Sequence, residues 1–349
     1  MDIYCLNKRK ILTMKRVLLS VAALFLAVNL IAQQDAQFSQ NMFLTAPINP
    51  GASGIKGMHC IDLVARQQWV GFTGAPKTGL LSYNGPVKPY SNFGWGGVLV
   101  YDDVGLQQDY SFKLNGAYHI NVGSDGGKLG IGLDLGIMQK GFKNDILNAV
   151  DMTDPALANL SGSSDLGLDL GFGLFYYKPE RLYFGISGQK LLPQKLTYGM
   201  AKPAIRQHAY ITTGYYHDVY DNEKVVLKPN MLVKTDLTST QIDVNLTAEF
   251  NKRIWLGGSY RVQDAIVANV GFKTKPTNNM GPIKIGFAYD FTTQGLANQG
   301  TFTTYDSEGA VAEEKVDNRS LGSVELYMGF CIIPPPPAGI DIYVDPLFL

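Results

Sequence analysis

Histidine, serine and cysteine are the residues from which a hydrolase or a metal centre would be assembled, and this chain spreads them thinly. Its four histidines are His59, His119, His208 and His217. None shares metal-ligand spacing with another histidine, a cysteine or a carboxylate on one face. Ser187 sits in Gly185-Ile186-Ser187-Gly188-Gln189, which lacks the final glycine of a nucleophile elbow. No glycine-rich loop of the phosphate-cradling kind is present. These residues predict no enzyme, no metal site and no cofactor. Tyr215 and His217 read as wall packing. What remains is a set of charged residues interleaved with apolar ones: Asp62, Arg66, Lys113, Asp134, Asp169, Lys228, Asp243, Glu249, Arg253, Arg261, Lys284, Asp290 and Glu325. Both signs are mixed. A single-sign stripe would suggest an ion-selective pore, whereas mixed pairs stiffen a wall and favour a scaffold.

The elements that must carry these charges are strands. Residues 240–250 place Ile242, Val244, Leu246, Ala248 and Phe250 on one face and Gln241, Asp243, Asn245, Thr247 and Glu249 on the other, because strand side chains alternate. The same alternation runs through 127–139, 165–178 and 282–292. The pattern predicts fourteen strands near 58–70, 77–86, 93–102, 106–121, 127–139, 165–178, 181–190, 207–218, 224–236, 240–250, 252–262, 265–274, 282–292 and 321–332. Most reach the ten or so residues that a tilted strand needs to cross the hydrocarbon. The expected fold is an all-β, transmembrane, antiparallel up-and-down barrel of about fourteen strands, greasy outside and polar inside. The long connections 140–164, 191–206 and 293–320 all follow odd-numbered strands. With the mature N-terminus in the periplasm, they fall together on the outside.

Composition agrees. The chain holds 38 Gly, 19 Tyr and 17 Phe and is 46% apolar, yet no segment after residue 32 is a long apolar run. Lys8, Arg9, Lys10, Lys15 and Arg16 precede the mostly apolar stretch 17–32, the layout of a secretory signal. Residues 1–32 are therefore read as a signal peptide, 33–56 as a leader or plug segment, 57–332 as an outer-membrane barrel and 333–349 as a proline-rich periplasmic tail. Of the 30 basic and 30 acidic residues, five and one lie in residues 1–32, leaving 25 against 29. That slight negative balance suggests no nucleic-acid partner; the expected surroundings are outer-membrane lipid.

Cys60 and Cys331 are the cysteines left after cleavage, too few for a disulfide-built fold. Each lies near the periplasmic end of a seam strand, on the lumenal face. They are expected either to lie close enough to bond or to be isolated small fillers, since barrel shear separates some seam positions. Phe38, Met42 and Phe43 would anchor residues 33–56 in or beneath the barrel as a plug; the other reading is a flexible leader. Arg66 and Gln68 are expected in the lumen, and Trp69 at a lipid-facing girdle position. In 140–164, two short helices would present Ile146, Leu147, Val150, Leu157 and Leu160, the second capped by Asp154 with Pro155 first. Those residues would either form a sticky partner-binding patch or fold down over the mouth.

Four blocks of the chain resemble the PorP/SprF outer-membrane barrels of the type IX secretion and gliding machinery. They are Gln34–Phe43 with Ile48-Asn49-Pro50-Gly51, Arg66–Thr78 with its Gln67-Gln68-Trp69 core, Gly171–Tyr177 with Leu182–Ser187, and Trp255–Asp264 with Tyr289-Asp290-Phe291. The first two are specific; the others are common barrel wording. The resemblance implies a fourteen-stranded, non-enzymatic barrel in the outer membrane. It also implies partners: secreted proteins with type IX C-terminal sorting domains, gliding adhesins among them, held at the cell surface or exported, and periplasmic components of the machinery. The chain departs from the family at Ala36, where proline is usual, and in the tail that continues past strand fourteen as Cys331-Ile332-Ile333-Pro334-Pro335-Pro336-Pro337. That tail reads either as a stiff docking strut or as a disordered extension. The rival function is a passive porin or small-solute transporter.

Overall fold

A computed structural model describes residues 35–72, 74–89, 91–143, 162–197, 204–220, 224–277, 280–293, 297–305, 311–319 and 321–335. The expected signal peptide, the loop carrying Ile146, Leu147, Val150, Leu157 and Leu160, and the tail beyond Pro335 lie outside the described residues.

The chain forms a closed antiparallel barrel of fourteen strands. In order, its elements are β1 (His59–Gln67), β2 (Lys77–Pro86), β3 (Phe93–Val104), β4 (Gln107–Val122), β5 (Gly127–Phe142), β6 (Ser164–Lys178) and β7 (Leu182–Gln189). There follow β8 (His208–Tyr215), β9 (His217–Asp218), β10 (Val225–Thr235), β11 (Thr240–Phe250), β12 (Ile254–Arg261), β13 (Ala265–Lys273) and β14 (Lys284–Thr292). The last are β15 (Ala297–Tyr305), β16 (Val311–Arg319) and β17 (Ser323–Ile332). Tyr216 interrupts β8 and β9, which pair with the same neighbour, β10, and count as one wall strand. Among the described residues no helix is long and apolar enough to span a membrane.

Alternation sets which side of the wall each residue takes. On β5, Ile131, Leu133, Leu135 and Ile137 are 38–60% exposed, while Asp134 between them is 1% exposed. The apolar residues face outward around the whole circumference, the surface that lipid covers. Aromatic pairs stand toward both ends of this band, Phe93 with Tyr118 at 4.9 Å and Tyr101 with Tyr110 at 5.2 Å, as interfacial girdles require.

Closure removes the free edges that lipid would penalise at several kcal/mol per unsatisfied backbone group. β1 pairs with β17 over nine positions, from His59 opposite Ile332 to Gln67 opposite Val324. Cys60 stands opposite Cys331 in that register, and the two are joined by a disulfide. The link bridges residues 271 positions apart, in a compartment that permits disulfides. Replacing both with serine is expected to cost about 2–4 kcal/mol by the entropy of the unlinked chain. The check is a lower urea midpoint with unchanged strand content by circular dichroism. An unchanged midpoint would mean that strand pairing alone carries the closure.

Two details depart from expectation. The connection 293–320 is not merely a loop: β15 and β16 pair with each other as a separate two-stranded ribbon beyond the wall. Arg253 was expected in the lumen but is exposed. Asn251 and Lys252 adopt positive φ, 49° and 54°, so the chain turns there and β12 begins only at Ile254.

Candidate functional site

Residues 35–58 thread the lumen. Three short pieces carry the segment: a 3-10 turn Asn41–Phe43, a helix Thr45–Ile48 and a 3-10 turn Pro50–Ala52. The last has a legible start. Pro50 occupies its first position, and Asn49 caps it by accepting a hydrogen bond from the Gly51 N–H at 2.9 Å. The segment runs from the loop-bearing half of the barrel at Asp35 to the opposite end, where it enters β1.

Its upper attachment is ionic. The Ser39 and Gln40 N–H groups donate to the Glu325 carboxylate at 2.7 and 2.8 Å. Ser39 Oγ donates to Asp290 at 2.7 Å and accepts from Arg66 at 2.6 Å and Arg261 at 3.3 Å. Arg66 pairs with Asp290 at 2.7 Å and Glu325 at 3.3 Å; Arg261 pairs with Asp290 at 3.1 Å and Asp243 at 3.3 Å. Four wall strands thus converge on one serine. Nearer the start of the segment, Asp35 pairs with Lys190 and accepts from Tyr210 Oη at 3.1 Å, and its carbonyl accepts from Lys234 at 2.7 Å.

The lower attachment is made of neutral hydrogen bonds. Asn49 Nδ2 donates to the Leu174 and Ile186 carbonyls at 2.9 and 3.1 Å. Gln189 Nε2 donates to the Pro47 and Ile48 carbonyls at 2.9 Å, and Ser187 Oγ to Ile48 at 2.7 Å. Here the wall must be smooth. A Cβ on Gly132 would sit 2.3 Å from the Pro50 carbonyl carbon and 2.4 Å from the Gly51 nitrogen. Gly132→Ala is therefore expected to cost about 1–3 kcal/mol by overpacking. The change is checked as faster proteolysis or hydrogen exchange of residues 35–58, with the barrel itself intact.

Apolar packing completes the seat. Leu44 is fully buried against Val64, Leu80, Val98 and Tyr327, and Phe38 and Phe43 pack on this cluster. Phe43 stacks on Tyr327 at 4.7 Å and meets the Trp255 edge at 5.3 Å. Met42 is half-buried and belongs to no apolar cluster among the described residues. Sequence reasoning found Phe38, Phe43, Asn49 and Pro50 but missed Leu44, which is fully buried in the apolar cluster, and Ser39, which bonds four wall strands. In so short a run no periodicity separates them from their neighbours.

Above the segment lies an open cavity of about 980 Å³. Residues of the lumenal segment from Asp35 to Ile48, among them Phe38, Leu44 and Pro47, line it on one side, and the ends of the wall strands line the rest. All the long connections leave from this same end. The cup is two-sided in chemistry. Val98, Val100 and Val104 continue the apolar strip that seats Leu44, while Lys113, Lys140 and Asp109 add charge. Trp69 lines this cup rather than a lipid girdle. Strand β1 ends at Gln67, and Trp69 has a φ of 45°, so alternation no longer governs its direction. The β10–β11 turn at the rim is held by Asp236. Burial would raise its carboxyl, but hydrogen bonds from Ser239 and Thr238 bring it down to about 2. The turn's contribution to stability is thus full above about pH 4, shrinks as the pH falls from there, and is gone below about pH 2.

The histidines stand apart. His59 bonds the Tyr83 hydroxyl at 2.8 Å, His119 is buried in the lumen, His208 lies 3.6 Å from Asp35, and His217 is exposed. Cys60 and Cys331 meet at the far end, packed with Met58 and Ile333.

Among solved structures, the toluene transporter TodX of P. putida is similar at 10% identity, covering 79% of this chain and 89% of its own, with a TM-score of 0.41. The CymD monoaromatic hydrocarbon channel is similar at 12% identity, 86% and 94% coverage and a TM-score of 0.43. The outer membrane protein Omp33 of Acinetobacter baumannii gives 6%, 79% and 99%, and 0.40. No curated protein matches the chain. The model of the family described as type IX secretion system membrane protein PorP/SprF matches residues 30–305. With most of its length matched and a lipid-facing barrel around a lumenal N-terminal segment, the chain is an outer-membrane protein that belongs to the PorP/SprF family of type IX secretion membrane proteins.

Proposed function

We propose that this barrel holds, or helps export, a secreted protein carrying a type IX C-terminal sorting domain, gripping it from the cell surface through the outward cup and the loops around it. The observation that carries this reading is the shape of the lumen: a cavity at the loop-bearing end, lined by the N-terminal segment, which is itself bonded to many wall strands. A lumen occupied by a firmly bonded segment suits the capture of part of a partner better than the passage of solutes. Ile146, Leu147, Val150, Leu157 and Leu160, in the connection between β5 and β6, are the proposed partner-binding patch. On the other side, Ile333 leaves the disulfide-bonded seam toward Pro334 and Pro335, and the tail is the proposed contact with periplasmic machinery. The role is binding, with no reaction assigned. The function of a passive porin or small-solute transporter is the second reading, favoured only by the volume of the cup.

The test is a mild-detergent affinity purification of the tagged barrel from its native outer membrane, with mass spectrometry of what accompanies it. A large secreted protein, recovered through its C-terminal domain and crosslinked at a cup residue such as Val104, is expected. A barrel that stays alone under crosslinking and conducts steadily in bilayers would replace this reading with the porin.

A further inference from the structure

On the side of the lumen away from the cup, the wall carries more positive charge than it neutralises. Lys273 on β13 stands directly opposite Lys284 on β14. Both are buried, at 2% and 5% exposure. Like charges at opposed strand positions repel, and a buried ammonium without a partner costs several kcal/mol. Lys273 is answered by Glu249, but Glu249 is shared with Lys228, whose Nζ is 2.7 Å away. Lys284 makes no hydrogen bond or ion pair among the described residues; its Nζ lies 5.6 Å over the Phe43 ring. Among the described residues Lys56, Lys273 and Lys228 act on it as like charges and Asp62 as the opposing carboxylate. Asp62 is already engaged by the Tyr327 hydroxyl at 2.7 Å and Ser82 at 3.5 Å. Four ammonium groups therefore face two carboxylates, Glu249 and Asp62, an excess of two.

Neutral donors border the same patch without partners. Trp255 Nε1 and Gln40 Nε2 are buried and unbonded. They meet over Gly286, where a Cβ would lie 2.1 Å from Gln40 Oε1 and 2.9 Å from the Trp255 ring. Gly286 is two residues from Lys284 on the same face of β14. Lys56 and Lys228 are half-buried, so the patch has contact with solvent at the end opposite the cup.

We propose that Lys56, Lys228, Lys273 and Lys284 form a periplasm-facing binding site for a phosphate group. An excess of two positive charges matches a dianionic tetrahedral group, where a carboxylate would supply one charge, and lysine binds phosphate as a point charge. The phosphate belongs either to a small soluble anion or to a lipid headgroup that bears a phosphomonoester, since a phosphodiester carries a single charge. Occupied, the site would tie the base of the N-terminal segment, through Lys56, to β10, β13 and β14.

The test is calorimetry of the full-length barrel in detergent and phosphate-free buffer, titrated with inorganic phosphate, beside native mass spectrometry of the barrel as purified. Saturable one-to-one binding is expected. Lys284→Met and Lys56→Met should each weaken it at least tenfold, and Lys88→Met, in an exposed turn, should leave it unchanged. Lys56 lies on the lumenal segment rather than in the wall, so its variant keeps the test valid where Lys284→Met fails to assemble. An adduct with a lipid phosphomonoester that both variants lose, with no response to inorganic phosphate, assigns the same site to a lipid headgroup. Neither ligand bound, or binding indifferent to both substitutions, overturns the proposal.

Discussion

Deleting residues 35–56 is expected to turn a silent barrel into a conducting pore. In planar bilayers the full chain should carry no steady current, and the deletion variant should show large, stable steps. Lumen size makes the effect large. Eight strands enclose only enough room for their own side chains, whereas sixteen to eighteen leave an aqueous channel. Fourteen strands lie near the upper case, so an emptied lumen holds water. The wall it would expose is polar and charged, from Asp62 and Arg66 through Asp243 and Asp290 to Glu325. A full-length barrel conducting as strongly as the deletion would overturn the closed cup and favour the porin. Deletion also strips Glu325 of its two N–H donors, Ser39 and Gln40, so the variant should unfold at lower urea. Strand content by circular dichroism separates an open barrel from a collapsed one.

The wall was legible in the sequence because a barrel repeats one rule. Every residue of 240–250 alternates, and β11 spans Thr240–Phe250. The odd-numbered long connections put the loops on one end, where the cup opens. Departures occur where the rule lapses. Positive φ at Trp69 and Lys252 ends alternation, so Trp69 turns into the cup and Arg253 leaves the lumen. β15 and β16 belong to no face of the barrel, and nothing in a lipid-facing pattern marks a ribbon outside it. Tyr216 breaks a strand that alternation alone reads as continuous.

The lumenal segment was legible only in outline. Aromatic anchors stand out in a polar stretch, hence Phe38 and Phe43. Ser39 does not: its importance comes from Arg66, Arg261, Asp290 and Glu325, which lie up to 286 positions away and converge only once the barrel closes. In the sequence the mixed charges imply a stiffened wall. In the structure they also grip the segment, so wall and plug share one network.

That network predicts a second large effect. Arg66→Met is expected to destabilise the barrel by about 3–5 kcal/mol, the usual consequence of removing one partner from a buried pair. No discount for solvent applies: the side chains of Arg66, Asp290 and Glu325 are 1%, 3% and 0% exposed. Without Arg66, Asp290 retains Arg261 and Ser39, but Glu325 is left with two backbone N–H donors and no cation. Arg66→Lys should recover only part of the loss, because a point charge cannot replace a fork that reaches Asp290 through one nitrogen and Glu325 and Ser39 through the other. Combining Arg66→Met with Glu325→Gln should cost less than the sum of the two changes, since the second removes the charge that the first leaves buried. The midpoint of urea unfolding in detergent measures the energies. Intermittent bilayer conductance from Arg66→Met, absent from the parent, would report the segment loosening at its upper attachment. If Arg66→Met left both the midpoint and the silence unchanged, the segment would be held by its neutral lower contacts at Asn49 and Gln189. The charges would then serve the wall alone.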